Sequence, residues 1–443
     1  MAKGFAAIPR VSRYVLANAT LPAVLVDGYT AAADGDGLVS ADITVKDGTI
    51  ERIDRPGRRT SAVKLDLDGG MVWPGFVDMH THLDKGHIWP RKPNPDGTFD
   101  GALDAVEEDR TTRWEARDVA ARMDFAIRSA YAGGTTLIRT HLDSRAPQHR
   151  ISWPVFAEMR EKWAGKVDLQ AVCLVTIDEF LNEASDDLID VVAEHGGILG
   201  AVTFMIPELE RALETLMLRA ANRGLDLDFH VDETGDPDAS SLRAIADVAL
   251  RIDFPGSIVA GHCCSLAVQP ESEASATMDR VAEAEIAVVS LPMCNMYLQD
   301  RQAGVTPRWR GVTLVHELAA RGVPVAVASD NTRDPFYAYG DLDMVEVFRE
   351  AVRILHLDHP IAGWPAAVAR TPAAIVGQPQ RGVIAAGAAA DLVLFRARSF
   401  TELLARPQSE RTVLRSGKAI DTTRPDYREL DDLMGPRRMG RKR

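Results

Sequence analysis

The 443-residue sequence contains little cysteine and no long apolar run. Its cysteines, Cys173, Cys263, Cys264 and Cys294, form no CxxC pair, which argues against a disulfide framework and favours a reducing cytoplasm. Each lies in or beside an apolar segment and is expected to be a small buried side chain. No apolar run approaches the roughly 18 residues of a membrane span, and the first residues lack the pattern of a secretory signal. We therefore predict a cytoplasmic protein that does not cross a membrane.

An excess of positive charge is also missing. The chain has 64 acidic and 51 basic residues, a net charge of −13, and this balance disfavours a nucleic-acid partner because phosphate binding needs a basic surface. The basic run PRRMGRKR at the C-terminus is too short to change that balance and is predicted to be a solvated chain end. The length suffices for a barrel of about 250 residues together with a minor second domain.

Both ends of the chain contain short β-type segments separated by turns, unlike the middle. The segments AVLVDG, ADITVKDGTI and AVKLDLDGG are short and separated by Asp-Gly or Gly-Gly turns, which predicts hairpins. A similar texture returns near the C-terminus in GVIAAGAAADLVLFRA and TVLRSGKAID. We predict that residues 1–70 and 380–443 form one small β-sandwich domain, and that residues 71–379 form the main domain.

The middle of the chain alternates short apolar strands with helix-length amphipathic stretches, a pattern typical of βαβ units. The eight strand candidates are residues 75–84, 135–143, 168–175, 197–202, 225–233, 257–264, 286–293 and 323–331. This pattern predicts an α/β fold, a (β/α)₈ barrel of the TIM type. An open doubly wound sheet is the alternative, and it favours a GxGxxG loop after an early strand, which this sequence lacks.

Polar side chains gather in the C-terminal parts of these predicted strands, where barrel active sites lie. They are His80, His82, His141, His230, Glu233, His262 and Asp330. His80 and His82 form an HxH pair whose side chains point to one face, about 6–7 Å apart, which suits two ligands of one ion. Together with His230 on the fifth strand and Asp330 at the end of the eighth, they offer three nitrogens and a carboxylate. This set suits Zn²⁺ or Fe²⁺ with one position left for water.

The motifs PGFVDMHTHLDK, DFHVDE, VAGHCC and VASDN, in this order, resemble those of the amidohydrolase superfamily. More narrowly, IRTHLD, FHVDE, PMCNMYLQDRQAGVTPRWRGVTLVHEL and SDNTRDPFYAYGDLDM resemble the cytosine deaminase branch. The resemblance covers nearly the whole chain and implies a metal-dependent hydrolytic deaminase of a nitrogen heterocycle. It implies that one divalent ion is held by His80, His82, His230 and Asp330.

The resemblance also implies catalytic roles. Glu233 matches the carboxylate that carries a proton to the ring nitrogen under attack, and His262 matches the histidine that hydrogen-bonds the hydrolytic water. Asp330 would accept a proton from that water, whose pKa the ion lowers, and Glu233 would deliver one to the substrate. Two-metal relatives usually carry a carbamylated lysine at the end of strand four. The segment GILGAVTFMIPELE has no lysine, so we predict one ion.

The substrate side departs from the cytosine deaminase pattern at two positions. Thr176 stands where that branch usually has a glutamine, and Asn331 stands where it commonly has a second aspartate. Both exchanges alter the donors and acceptors that a buried substrate meets. We therefore expect a preferred substrate other than cytosine.

Further side chains are predicted to line the substrate pocket. In the loop after the first strand, Lys85 would hold an anionic or carbonyl-rich substrate and Trp89 would stack on a planar ring. The alternative for this segment is a solvated loop with one packed tryptophan. Similar HxHxDK segments occur in relatives that act on triazine-like rings, which implies a substituted heterocycle. Gln299 and Phe336 complete the predicted pocket, whereas His141 is expected to be an inward-facing histidine with its hydrogen bonds satisfied.

Two alternative functions remain open. An amidohydrolase that opens a cyclic amide, or removes an N-alkyl amine from a triazine-like ring, would use the same metal, proton carrier and water. A non-catalytic binding protein on the same scaffold would be expected to lose a metal ligand or Glu233, and this sequence retains all of them. The sequence does not fix the metal or the number of subunits, and a homo-oligomer remains open because relatives are often oligomeric.

Overall fold

The structure is a computed structural model that describes residues 5–407 and 410–435. The basic run PRRMGRKR lies outside the described residues. The strands are β1 Arg13–Pro22, β2 Leu38–Lys46, β3 Thr49–Asp54, β4 Val63–Asp66, β5 Val72–Pro74, β6 Phe76–Thr81, β7 Thr135–Asp143, β8 Asp168–Leu174, β9 Val202–Thr203, β10 Leu227–Val231, β11 Ile258–His262, β12 Ala287–Ser290, β13 Val325–Val327, β14 Leu392–Phe395, β15 Arg411–Arg415 and β16 Lys418–Ala419. The α-helices are α1 Phe99–Arg113, α2 Ala116–Gly133, α3 His149–Trp163, α4 Ser185–Glu194, α5 Leu209–Arg223, α6 Ser241–Ile252, α7 Glu271–Glu283, α8 Pro292–Leu298, α9 Val315–Ala320, α10 Met344–Leu355, α11 Arg370–Ile375, α12 Phe400–Ala405 and α13 Asp431–Met434.

The N-terminal strands form a sheet in the order β3–β2–β1–β4. β2 and β3 pair antiparallel across the two-residue loop Asp47–Gly48, in which both residues have positive φ. An Asp-Gly loop suits this conformation because glycine adopts positive φ without steric cost. The hairpin predicted from ADITVKDGTI is therefore present.

The two ends of the chain pack together. A second sheet has the order β16–β15–β14–β5, so that C-terminal strands pair with a strand from the N-terminal part. Leu16 and Ile43 share an apolar cluster with Leu392 and Leu414. Burial of this surface favours the association of segments that lie far apart in the sequence.

Parallel strands dominate the middle of the chain. β6–β7–β8 form one sheet, and β13–β12–β11–β10–β9 form another, with neighbours in sequence order. Bridges at Val172–Ile198 and Thr176–Val202 connect the two sheets on one side, and the Thr81–Asp330 bridge connects them on the other. The predicted α/β alternation with parallel strands is confirmed. These pairings show no reversal of strand order, which a doubly wound sheet requires.

The fourth predicted strand is much shorter than expected. Residues 197–202 were predicted, whereas β9 is Val202–Thr203 and the preceding residues form only isolated bridges. Two glycines in this segment pack closely against other parts of the chain. A Cβ on Gly200 would lie 2.3 Å from the carbonyl oxygen of Asp228, and one on Gly197 would lie 2.3 Å from the Trp153 ring. A side chain at either position would therefore collide with its neighbours.

Helix ends follow local sequence signals. α5 ends at Arg223, before Gly224 in the left-handed conformation, as the sequence ELERALETLMLRAANRG predicts.

Across the described helices, none combines the length and apolar character needed to cross a membrane. The four cysteines are buried and free, as expected.

Candidate active site

Four side chains from distant parts of the sequence converge at the C-terminal ends of the parallel strands. The Nε2 atom of His230 lies 3.2 Å from that of His80 and 3.3 Å from that of His82. Asp330 Oδ1 lies 3.2 Å from His82 Nε2 and 3.7 Å from His80 Nε2. All four residues are buried.

The spacing of these atoms fits a metal ion. Two ligands about 2.0–2.1 Å from one tetrahedral zinc lie about 3.3 Å apart, which matches the His230–His80, His230–His82 and His82–Asp330 contacts. Burial lowers the pKa of His80, His82 and His230 well below the usual value, so the rings are neutral and their nitrogen lone pairs can bind a cation. A cluster of this kind indicates a divalent metal ion.

The charge state of Asp330 depends on such an ion. Burial raises the pKa of Asp330, and a divalent cation beside the carboxylate would oppose that rise by favouring the ionised form. The backbone holds the side chain in place, because the Asp330 N–H donates to the His80 carbonyl oxygen at 2.9 Å. Asp330 has a φ of 63° and His262 a φ of 69°, a left-handed conformation that is costly outside glycine and is often found at functional sites.

Glu233 and His262 lie beside this set and are linked by a residue that the sequence analysis did not single out. The side-chain amide nitrogen of Asn295 donates to Glu233 Oε1 at 3.1 Å and lies 2.9 Å from His262 Nδ1. Burial raises the pKa of Glu233 well above its usual value, and the negative charge of Asp330 adds to the shift. Burial lowers the pKa of His262 to about 3, so its ring is neutral.

His141 lies directly against the cluster. Its ring centroid is 4.0 Å from that of His80, and its Nε2 atom is 3.8 Å from Asp228 Oδ1. Among the residues that the structure describes, neither ring nitrogen has a hydrogen-bond partner, which differs from the satisfied histidine that we expected. His80, His141 and His230 form a second group of closely spaced donor atoms that overlaps the first.

Three of the predicted pocket residues come together near the cluster. Lys85 is buried with its Nζ 4.6 Å from the centroid of the Phe336 ring, and Asn331 Nδ2 donates to Asp334 Oδ2 at 2.8 Å. Burial by itself disfavours the lysine ammonium, but the carboxylates of Asp143 and Asp334 outweigh this effect and raise the pKa of Lys85. Lys85 is therefore a buried cation whose charged form is favoured by nearby carboxylates.

The other predicted pocket residues lie differently. Gln299 is buried and donates from Nε2 to the backbone oxygen of Glu233 at 3.0 Å, so it helps to fix the backbone of that residue. Thr176 is exposed and Trp89 is half-buried. In residues 5–407 and 410–435, neither of these two side chains hydrogen-bonds to the His/Asp cluster.

Side chains of the C-terminal segment contact the loops that border the site. The Arg333 guanidinium lies 4.0 Å from the centroid of the Tyr427 ring, and the Tyr427 hydroxyl donates to Asp341 Oδ1 at 3.1 Å. Arg424 donates to Asp343 Oδ2 at 2.7 Å. The loop that carries Asn331 and Phe336 is thereby tied to the end of the described chain.

Comparison with known proteins agrees with this arrangement. The chain is 59% identical over 437 residues to a pterin deaminase of Rhizobium rhizogenes (strain K84), covering 98% of this chain and 100% of the relative. It is 23% identical over 317 residues to an N-isopropylammelide isopropyl amidohydrolase of Pseudomonas sp. (strain ADP), covering 69% and 74% of the two chains.

Solved structures share the fold. A 5-methylcytosine deaminase from Klebsiella pneumoniae superposes with a TM-score of 0.78 at 23% identity and covers 94% of this chain and 98% of its own. An N-isopropylammelide isopropylaminohydrolase from Burkholderia multivorans gives 0.71 at 25% identity, with 92% and 98% covered. The sequence profile of the amidohydrolase family matches residues 64–124 and 178–421. The predicted resemblance is confirmed, and the chain belongs to the amidohydrolase family.

Proposed function

We propose that this protein is a metal-dependent hydrolytic deaminase and that pterins are its substrate class. The observation that carries the proposal is the convergence of three neutral imidazoles and a carboxylate beside Glu233, in a chain that resembles a pterin deaminase over its whole length. Pterin is a nitrogen heterocycle with an exocyclic amino group. It therefore fits the class that the sequence predicted, and it is not cytosine.

We propose that one divalent ion, Zn²⁺ or Fe²⁺, is held by His80, His82, His230 and Asp330. Imidazole and carboxylate ligands suit both metals, and the absence of a lysine after the fourth strand supports a single ion. When bound, such an ion lowers the pKa of a water molecule towards neutrality and so supplies a nucleophile.

The side chains would move the protons of the reaction. Water adds to the ring carbon that bears the amino group, that carbon–nitrogen bond breaks, and ammonia leaves as a carbonyl forms. Asp330 accepts a proton from the water and passes it to the amino group, which leaves as ammonia. Glu233 delivers a proton to the adjacent ring nitrogen and takes up the proton that the added hydroxyl loses as the carbonyl forms. The raised pKa of Glu233 supports this role, because burial favours the protonated carboxyl group from which a proton can be delivered. His262 would hydrogen-bond the attacking water.

We propose that Lys85 and Phe336 bind the substrate ring, with Asn331 and Gln299 shaping the pocket. A buried ammonium suits the carbonyl oxygen of an oxopteridine ring, and the adjacent Phe336 offers a flat apolar surface. Thr176 and Trp89 follow the third and first parallel strands, and we retain them as proposed contacts at the outer edge of the pocket.

Replacing Lys85 with methionine should lower kcat/KM at least about tenfold, mainly through a higher KM, because a hydrogen bond from a charged group contributes about 1.5–3 kcal/mol. Steady-state kinetics on folded, metal-loaded protein checks this. Lys92→Met, in the same loop, is the matched control and should leave kcat/KM unchanged. An unchanged KM in Lys85→Met would remove Lys85 from the substrate site.

Ammonia release from a substrate panel tests the proposed function. Metal-loaded protein should release one ammonia per pterin consumed and should turn over cytosine much more slowly. The panel includes an aminotriazine, an N-alkylaminotriazine and a cyclic amide. If pterin yields no ammonia while the cyclic amide or the N-alkylaminotriazine is consumed, the alternative amidohydrolase function holds. No turnover of any substrate would favour a non-catalytic binding protein.

We further propose that the parallel strands close into a (β/α)₈ barrel within residues 71–379, and that residues 1–70 and 380–443 form a small β-sandwich domain. The Thr81–Asp330 bridge and the apolar cluster shared by both chain ends support this division. The four free cysteines support a reducing cytoplasm as the setting.

A further inference from the structure

The side-chain amide nitrogen of Asn295 contacts both Glu233, the proposed proton donor, and His262, the proposed partner of the attacking water. It is fully buried on the short helix α8. Its Nδ2 atom lies 3.1 Å from Glu233 Oε1 and 2.9 Å from His262 Nδ1. A side-chain amide nitrogen carries two hydrogens, so one is available for each of these acceptors.

The backbone of α8 holds this amide in place. The Asn295 N–H donates to the Leu291 carbonyl oxygen at 3.0 Å, and the Asn295 carbonyl oxygen accepts from the Gln299 N–H at 2.8 Å. Gln299 also binds the backbone of Glu233 through its side chain. The same short helix therefore fixes both the backbone and the carboxyl group of Glu233.

The Asn295 contact determines where the hydrogen of His262 lies. A neutral imidazole has one N–H and one acceptor nitrogen. Nδ1 of His262 lies 2.9 Å from the amide nitrogen of Asn295 and 3.4 Å from Glu233 Oε1. An amide nitrogen donates and does not accept, so in this orientation of the amide Nδ1 is the acceptor and the hydrogen of His262 is on Nε2. The His262 ring lies 4.9 Å from the His230 ring between centroids, and its Nε2 has no hydrogen-bond partner among the residues that the structure covers. Thr313 fixes the backbone here by donating from Oγ1 to the His262 carbonyl oxygen at 2.6 Å.

The same contact distinguishes the two oxygens of Glu233. Oε1 accepts a hydrogen from Asn295, and a proton on that oxygen would face the amide N–H. The proton that Glu233 carries during the reaction therefore belongs on Oε2.

We propose that Asn295 is a positioning residue of the deamination: its amide holds His262 in the Nε2–H form and reserves Oε2 of Glu233 for the transferred proton. His262 then acts as a hydrogen-bond donor to the attacking oxygen and takes no proton from it. This inference rests on the proposed function, although its structural part can be tested without a substrate.

Two substitutions separate positioning from packing. Asn295→Asp keeps the shape but cannot donate, and its carboxylate would accept from Nδ1 and so move the His262 hydrogen off Nε2. An incorrectly held imidazole is costly in catalysis, so we expect kcat to fall at least about a hundredfold, with KM changed by less than about threefold. Asn295→Ala leaves His262 free to adopt either form, and we expect a smaller loss, about tenfold. If Asn295 only filled space, alanine would be more damaging than aspartate.

The measurements are kcat and KM with pterin, bound metal, thermal unfolding and the ¹⁵N resonances of the His262 ring in metal-loaded protein. The resonances should show Nε2–H in the unmodified protein and Nδ1–H in Asn295→Asp. Asn222→Asp on the exposed face of α5 is the matched control and should change none of these quantities. The inference is overturned if His262 carries its hydrogen on Nδ1 in the unmodified protein, or if the alanine variant loses as much kcat as the aspartate variant. If Nε2–H is found but no pterin is deaminated, the proposed function fails while the positioning by Asn295 stands.

Discussion

A His82→Ala variant is expected to bind its divalent metal at least about a hundredfold more weakly and to lose deaminase activity with the metal. The Nε2 atom of His82 lies within 3.3 Å of both His230 Nε2 and Asp330 Oδ1, so its removal opens one side of the donor set. Only the neutral rings of His80 and His230 and the carboxylate of Asp330 would then remain to bind the cation. Metal content after dialysis, measured together with kcat, checks this expectation.

The matched control is His141→Ala, which removes an equally buried imidazole from the neighbouring position. Because His141 belongs to the overlapping group with His80 and His230, the pair of variants decides which group holds the ion. We expect His141→Ala to retain its metal. If it loses the metal while His82→Ala keeps it, the proposed ligand set is wrong and His141 replaces His82.

Replacing Glu233 with glutamine is expected to lower kcat about a thousandfold while leaving the metal in place. Glutamine has nearly the same shape, and its amide oxygen can still accept the hydrogen bond from Asn295, but it cannot carry a proton. Proton transfer by a positioned side chain contributes about 10²- to 10⁴-fold to rates, which sets the size of the loss.

Steady-state kinetics with pterin, paired with metal analysis, tests the Glu233 prediction. Glu161→Gln on the exposed face of α3 is the matched control and should behave like the unmodified protein. Full activity in Glu233→Gln would mean that another group carries the proton. Loss of the metal in this variant would show instead that Glu233 is needed to hold the ion.

The convergence of the three histidines and Asp330 could be predicted because it depends on regular structure. Side chains two residues apart on a strand share a face, so the HxH pair was enough to bring His80 and His82 together. Parallel strands in sequence order then bring His230 and Asp330 to the same end. The location of each of these side chains could be predicted from the position of its strand alone.

The support around Glu233 could not be predicted in the same way. Asn295 lies on a seven-residue helix after β12, where no periodic pattern marks the inward face. Gln299 is predicted to line the pocket, and its side chain also donates to the backbone oxygen of Glu233, a contact that the sequence did not indicate. The close packing at Gly197 and Gly200 was equally hidden, since their neighbours Trp153 and Asp228 lie far away in the sequence.

The Thr81–Asp330 bridge would link metal binding at the proposed site to folding. His80 and His230 are separated by 150 positions, and Asp330 reaches them only when the last parallel strand lies beside the first. The complete donor set therefore exists only where the first and last parallel strands lie side by side. An ion that binds only the folded form raises the free energy of unfolding by RT ln(1 + [M]/Kd), where [M] is the free metal concentration. Metal depletion would thus shorten the lifetime of the protein against proteolysis as well as stop its chemistry.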